Sequence, residues 1–273
     1  MRIVVPIKQV PETNAVKMDE ATGTMIREGV EAIINPLDLY AIEIAIRLRE
    51  SAGADTEVIA ISMGPPKAAI ALREAIAMGC DGAVLISDKA FAGSDTWATS
   101  YVLAAAIKKL GGRDGLPLPE LIVCGERATD GDTGQVGPGI AAFLDLPVAT
   151  YVSKIDRAGE GRCRVHRLIE DGYEVLDSAL PCVLTVVKEI ASPRLPTLRG
   201  KQKARQAEIP CWGPADLQVQ PDKIGLNGSP TRVVRIFKPK VVRQCDKVMA
   251  TDEAAIDAAV DKLLAMLRSR ELI

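Results

Sequence analysis

A doubly wound α/β fold built on a mainly parallel sheet is what this 273-residue sequence predicts. Three observations predict it. Short apolar runs alternate with stretches of helical spacing from Arg2 to Leu146, and repeated β-α units of that length imply parallel strands with helices on both faces. Hydrophobic residues make up 48% of the chain but aromatics only 3%. Ala, Val, Ile and Leu must therefore do the packing, as when β-branched parallel strands lie under Ala-rich helices. Finally, four polar loops follow strands, at the edge where doubly wound folds bind ligands.

The elements follow in order. Arg2 to Pro6 reads as a strand. Asn35-Pro36 opens a helix, with Pro36 near the first helical position and Ala41, Ile42, Ala45, Ile46 and Leu48 forming an apolar face. Glu57 to Ser62 is the second strand, and the helix from Lys67 to Met78 is ended by Gly79. Gly82 to Ile86 is the third strand, and a helix starts at Asp95-Thr96 and runs to Leu110. Leu121 to Cys124 is the fourth strand, leading through a Gly-rich loop into the helical spacing of Ile140 to Leu146.

From Val148 the pattern changes. Tyr151 to Ile155, Cys163 to Ile169 and Tyr173 to Leu180 predict an antiparallel addition with turns at Gly159-Glu-Gly161 and Asp171-Gly172, and Pro181 to Val187 a buried strand. Ser192-Pro-Arg-Leu-Pro-Thr-Leu-Arg-Gly-Lys201 is proline-rich and basic, and Gln202 to Glu208 reads as a short helix. Residues 210 to 246 have little periodicity and read as an extended arm, poorly able to bury itself. Thr251-Asp-Glu253 caps a last amphipathic helix with Ala255, Ile256, Ala259, Val260, Leu263, Leu264 and Leu267 on one side. The expected organisation is a nucleotide-binding α/β domain over 1–190, a partner-recognition loop and short basic helix over 191–209, and a C-terminal arm and helix over 210–273.

Composition excludes several classes. The formal net charge of −2 gives no pull toward nucleic acid or an anionic membrane, and no basic stripe with interleaved aromatics is present. No apolar run reaches the ~20 residues of a membrane span. A strand signal starting at Arg2 predicts no signal or transit peptide and a cytoplasmic location. The six cysteines, at 80, 124, 163, 182, 211 and 245, contain no Cys-x-x-Cys pair and read as small apolar core residues in a reducing compartment. The single histidine, His166, falls in an alternating segment and reads as a surface strand residue. No Ser or Cys nucleophile has a His to serve it and no carboxylate pair stands out, so no catalytic residue and no metal site is expected, and chemistry would belong to a bound cofactor.

The four loops are Pro6-Ile-Lys8-Gln-Val10, Ser62-Met63-Gly-Pro65, Ser87 to Thr96 and Gly125 to Gly137, with Asn35-Pro36-Leu37-Asp38 beside them at a helix start. The most polar is Gly125-Glu126-Arg127-Ala128-Thr129-Asp130-Gly131-Asp132-Thr133-Gly134-Gln135-Val136. Strand, Gly-rich loop, helix points backbone N–H groups and a helix N-terminus at an anion. Asp130, Asp132, Thr133 and Gln135 suit either capping that helix or hydrogen-bonding a ribose or base. In Phe91-Ala-Gly-Ser-Asp-Thr96, Asp95 or Thr96 serves as a helix cap on one reading; on the other, Ser94, Asp95, Thr96 and Thr99 face a polar ring or ribityl chain. The first loop lacks Gly-x-Gly-x-x-Gly and no Gly-x-x-x-x-Gly-Lys-Ser/Thr occurs, which argues against a standard dinucleotide grip and a P-loop.

Taken in order, several segments together resemble the β subunit of electron-transfer flavoproteins over almost the whole chain. They are Lys8-Gln-Val-Pro11, Gly29-Val30 before Ile34-Asn-Pro36, Leu72-Arg-Glu-Ala-Ile-Ala-Met-Gly79, Gly125 to Val136, and Ser192-Pro-Arg194 ahead of the basic segment. The resemblance implies a Rossmann-like adenine-nucleotide-binding fold and an FAD-carrying α subunit as partner. It also implies that Pro6, Asn35 to Asp38, Met63 and Gly125 to Val136, with Lys8 in the first loop, surround an adenine nucleotide. Gly93-Ser-Asp-Thr96 and Asp130-Gly-Asp-Thr-Gly-Gln-Val-Gly-Pro138 look like the electron-bifurcating branch, in which that nucleotide is a second FAD that accepts a hydride from NADH. In the housekeeping branch it is AMP in a structural role. Glu126-Arg-Ala-Thr129 stands where Arg or Lys, Gln, Ala, Ile is expected, which leaves Arg127 to pair with a ligand oxygen or with Glu126. Leu198 matches the family's loop that anchors partner dehydrogenases such as an acyl-CoA dehydrogenase, and a low-potential ferredoxin or flavodoxin is the further acceptor in the bifurcating case.

Overall fold

In a computed structural model, residues 1–12, 17–18, 25–26, 32–53, 55–112, 115–234 and 247–273 are described. Gly29, Val30 and Cys245 lie outside them. The chain divides into two compact units, Met1–Arg235 and Ile236–Ile273.

The first unit opens with β1 (Arg2–Pro6), followed by short antiparallel pairs of β2 (Gln9–Pro11) with β5 (Ala32–Ile34) and of β3 (Lys17–Met18) with β4 (Met25–Ile26). Then come α1 (Pro36–Ala52), β6 (Glu57–Met63), α2 (Ala69–Met78), β7 (Gly82–Ile86), α3 (Thr96–Leu110), β8 (Leu121–Gly125) and α4 (Val136–Leu144). The antiparallel addition is β9 (Val148–Gly159), β10 (Arg162–Ile169) and β11 (Gly172–Ala179), and β12 (Cys182–Val186) returns to the parallel set. After it lie α5 (Leu198–Gln206), β13 (Cys211–Trp212) and α6 (Pro214–Leu217). One nine-stranded sheet results, in the order β11-β10-β9-β12-β8-β1-β6-β7-β13.

Alternation along the central strands builds two cores. Ile3, Val5, Val58, Ala60, Leu121, Val123, Cys182 and Leu184 face Ala41, Ile42, Ala45 and Ile46 of α1 and Leu72, Ala75 and Ile76 of α2. Their neighbours Val4, Ile61, Ile122 and Val183 pack with Val102, Leu103, Ala106 and Ile107 of α3 and Ile140, Ala141 and Leu144 of α4. A period of two in buried strands sends alternate side chains to opposite faces, so nearly continuous apolar runs are required. The chain winds from β1 through β6 to β7 with α1 and α2 on one core. It then crosses back to β8, on the other side of β1, with α3 and α4 on the other. The carboxyl ends of β1 and β8 therefore flank the point where the winding reverses.

Residues 210–234 carry little sequence periodicity, yet they are anchored. Cys211 and Trp212 pair with Leu85 and Ile86 as a parallel edge strand, and Leu217, Val219 and Ile224 are buried in the α3–α4 core. A few apolar anchors separated by Pro and Gly suffice to seat such a segment, and they leave no repeating signal to read. Cys80, Cys124, Cys163 and Cys182 are buried, as the composition suggests, whereas Cys211 on the edge strand is exposed.

The segment before α5 is fixed by charge. Glu43, buried on α1, accepts from Arg47 at 2.6 Å and from Arg194 at 2.8 Å, and Arg194 also reaches Glu50 at 2.6 Å. Thr197 caps α5 by accepting from the Gly200 N–H at 2.9 Å. Helix α5 begins at Leu198, earlier than the spacing alone predicts, because this cap lies inside the proline-rich segment.

In the second unit, α7 (Glu253–Ser269) is capped by Asp252, which accepts from the Ala255 N–H at 2.9 Å. Its Ile256, Val260, Leu263 and Met266 are 44–51% exposed. Among the described residues no helix is long and apolar enough to cross a membrane.

Candidate nucleotide-binding site

Pro6 ends β1, Gly125 ends β8 and Met63 ends β6, so the three lie at one sheet edge beside the start of α1. Asn35, fully buried, is the residue that ties them together. Its backbone N–H donates to the Lys8 carbonyl at 2.8 Å. Its side-chain amide donates to the Arg127 carbonyl at 2.9 Å, and its side-chain oxygen accepts from the Thr129 N–H at 3.1 Å. One amide thus holds the loops after β1 and β8 in register, which needs the donor and acceptor that Asn carries side by side. Pro36 occupies the first helical position, where a missing N–H costs nothing.

Asp38, in the first turn of α1, is 6% exposed and accepts from the Lys8 N–H at 2.7 Å. Burial pushes its carboxyl up to about 7, against the lowering effect of that N–H and of the Asn35 amide. Gly125 packs directly on it: a Cβ at Gly125 would overlap the Asp38 Oδ1 and lie 2.9 Å from the Leu37 carbonyl. Lys8 extends the other way, its ammonium 2.7 Å from Asp130.

The loop after β8 folds on itself. The Ala128 carbonyl accepts from the Asp132 N–H at 2.8 Å and the Gly131 N–H at 3.3 Å. Asp132 and Gly134 take φ of +55° and +63°, the left-handed region that Gly enters freely and Asp tolerates. Arg127 pairs with Glu126 and with Asp132, each at 2.8 Å. Asp130, Asp132, Thr133 and Gln135 are exposed. None of the four caps α4, whose N-terminus carries no side-chain cap. Helix α4 is seated tightly, because a Cβ at Gly137 or Gly139 would overlap Thr185 of β12 or Ser100 of α3.

The loop after β7 reaches the same edge. Thr96 donates through Oγ1 to Gln135 Oε1 at 2.7 Å, which joins the Gly93–Thr96 and Asp130–Gln135 loops. Asp95 is the N-cap of α3, accepting from the Ala98 N–H at 3.0 Å. Its other oxygen accepts from the Thr231 N–H and hydroxyl at 2.9 and 2.8 Å. Burial alone would raise its carboxyl, but these bonds hold it below the usual range. Ser94 donates to the Phe91 carbonyl at 2.8 Å and accepts from the Gly225 N–H at 3.1 Å. Ser229 Oγ accepts from the Asp95 N–H at 2.8 Å, and this partner, like Gly225 and Thr231, escapes the sequence reading, because all three sit in the aperiodic 210–234 stretch. Their only signal is a run of small polar residues after the apolar Ile224-Gly-Leu226.

Leu198 stands apart, 87% exposed at the start of α5, which packs on α2. Leu195, three residues earlier, is 86% exposed. His166 lies on β10 with its ring nitrogen 2.8 Å from Asp156 and has no place at this edge.

Comparison with known proteins finds similarity over the length of the chain. The electron transfer flavoprotein domain matches residues 22–217. The caffeyl-CoA reductase-Etf complex subunit CarD of Acetobacterium woodii is 45% identical over 273 residues, covering 100% of both chains. The electron transfer flavoprotein subunit beta of Megasphaera elsdenii is 42% identical over 273 residues, again 100% of both. The acryloyl-CoA reductase electron transfer subunit gamma of Anaerotignum propionicum is 41% identical over 269 residues, 97% of this chain and 98% of its own.

Proposed function

This chain belongs to the electron transfer flavoprotein family as a β subunit, and from that premise we propose that it binds FAD and serves NADH-driven electron bifurcation in a heterodimer with an FAD-carrying α subunit. The observation that carries the reading is the Thr96–Gln135 hydrogen bond at 2.7 Å. It joins the two loops that look like the bifurcating branch at the edge where the winding reverses. An adenine nucleotide shared by both branches needs only the Asn35–Asp38 and Gly125–Val136 surfaces, whereas a flavin needs a further polar wall, and the loop before α3 supplies one.

The donor set fits such a group. The uncapped first turn of α4 and the backbone of Gly125 to Val136 offer N–H groups suited to a phosphate. A Cβ at Gly131 would meet nothing within 4 Å, so neither packing nor a left-handed φ explains that glycine, and its bare backbone leaves room at the loop tip. When bound, FAD supplies the hydride-accepting and two-way electron-donating chemistry. The chain's own residues bind and orient it. Asn35 fixes the loop after β8, Lys8 and Asp130 hold each other across the edge, and Arg127 is kept near the loop by Glu126 and Asp132. Pro6, Leu37 and Met63 provide the apolar floor.

Partners follow from the same reading. Leu198 anchors a flavin dehydrogenase of the acyl-CoA dehydrogenase type, in keeping with relatives named for caffeyl-CoA and acryloyl-CoA reductases. Residues 191–209 form the recognition element, and 210–273 serve the α subunit, with α7 offering its apolar side. A ferredoxin or flavodoxin takes the low-potential electron, and the complex works in the cytoplasm. One observation favours AMP in a structural role instead. The side chains of Ser94 and Asp95 are taken up by residues 225–231, which leaves Thr96 alone of the three near Gln135. Substituting Thr96→Val and Gln135→Ala in the co-expressed heterodimer separates the two. Loss of the second flavin with the α-subunit FAD retained supports the FAD reading; unchanged flavin content refutes it.

A further inference from the structure

Asp38 is a buried carboxylate at the edge proposed to seat an anionic nucleotide. It lies in the first turn of α1, 6% exposed, against the end of β8 and beneath the loops that Asn35 ties together. Each element packed around it bears on its charge. From the loop after β1, the Lys8 backbone N–H donates to it at 2.7 Å. The Lys8 ammonium, which attracts the charged form, is bonded to Asp130 at 2.7 Å. From the loop after β8, Asp130 brings a negative charge that opposes ionisation, and within α1's own start the Asn35 amide favours it. Cys124 of β8 is buried and its thiol is pushed up by that burial and by Asp38 itself, so it stays neutral. The first turn of α1, in which Asp38 sits, also favours the charged form, but among the described residues no cation bonds the carboxyl directly.

A nucleotide seated over this edge changes two things. It removes the remaining water from the carboxyl, and its phosphates add negative charge to the same face. Both favour the neutral acid. We propose that Asp38 is a positioning residue that takes up one proton from solvent when the nucleotide seats, so that the bound state pairs a neutral Asp38 with the anionic ligand. The new bond is between a solvent proton and a carboxylate oxygen of Asp38, and the nucleotide itself neither gains nor loses a proton. The inference rests on the nucleotide-binding reading above.

In the free site burial pushes the group up to about 7, so near neutrality binding takes up a fraction of a proton, and that fraction rises toward one as pH increases. Affinity accordingly falls as pH rises above 7, by up to about tenfold per pH unit.

The test uses the co-expressed heterodimer, stripped of its nucleotide and titrated with FAD by calorimetry at pH 7 and 8 in buffers of different ionisation enthalpy. The pyrophosphate of FAD has no ionisation near neutrality, so proton uptake reports on the protein. The expected result is an observed heat that varies with buffer, larger at pH 8, and no such variation in Asp38→Asn. FAD binding with the same heat in every buffer overturns the inference and leaves the nucleotide reading intact. If only AMP binds, the uptake of the wild type minus that of Asp38→Asn at pH 8 decides in the same way, since the AMP phosphate then contributes equally to both. If neither nucleotide binds, the reading falls and the inference with it.

Discussion

Removing the Asn35 side chain should unpin the site while leaving both cores intact. Asn35→Ala deletes two hydrogen bonds, to the Arg127 carbonyl at 2.9 Å and from the Thr129 N–H at 3.1 Å. Both backbone groups are partly buried, so each lost bond costs about 1 kcal/mol, the low end of the range for a group left unpaired. The pair gives a destabilisation of about 2 kcal/mol and a melting temperature lower by roughly 5 °C for a unit of this size. The loop after β8 must then be ordered by the ligand itself. If the same 2 kcal/mol is spent at binding, nucleotide affinity falls about 30-fold. Urea denaturation of the heterodimer with and without nucleotide measures the first quantity, and flavin fluorescence titration the second. A variant within about 0.5 kcal/mol of wild type that binds nucleotide within about twofold would refute the reasoning, because Asn35 would then not be what holds the loop.

Asp38→Asn should stabilise the nucleotide-free protein at alkaline pH. The folded carboxyl is raised from 3.8 to about 7, so the folded state binds more protons than the unfolded one in that window and loses stability as pH rises through it. The ceiling is about 4 kcal/mol, and the urea midpoint of the variant should exceed wild type by more at pH 8 than at pH 5. Gly125→Ala places a Cβ against the Leu37 backbone and Asp38, which have no flexible end to give way; a loss of about 2 kcal/mol or more and of bound nucleotide is expected from calorimetry and released-cofactor analysis. Arg194→Ala leaves Glu43, buried on α1, with Arg47 alone, at a cost of about 2–3 kcal/mol in denaturant. Burial would raise the Glu43 carboxyl, but bonds from Arg194 and Arg47 hold it below 4.5, as the Arg194 bond does for Glu50. Their stabilisation is therefore present above that pH and lost as pH falls through the folded values, and Arg194→Ala should flatten this acid limb of the stability profile.

The central sheet was readable because its rules are local. Buried parallel strands such as Ile3 to Val5 and Leu121 to Val123 are apolar on both faces, and Gly79 and Asp95 mark helix ends by their own chemistry. The antiparallel addition was readable from alternation and turns. The seating of 210–234 was not, because Leu217, Val219 and Ile224 are single anchors whose partners on α3 and α4 lie more than seventy residues away. At the candidate site, residue types pointed to one edge, and Asn35, Asp38, Lys8 and the loop from Gly125 do converge there. Their pairings were invisible. Nothing local says that Arg127 turns to Asp132 as well as Glu126, or that the oxygens of Asp95 are shared between α3 and Thr231. Such bonds depend on which loops the topology brings together, and that is settled by the reversal of winding between β1 and β8.

The most direct test of the account is cofactor stoichiometry. The chain is co-expressed with its α partner, the purified heterodimer is denatured, and the released FAD and AMP are quantified. The account predicts two FAD per heterodimer and no AMP; one FAD and one AMP would contradict it and make this chain the structural subunit of an ordinary electron shuttle.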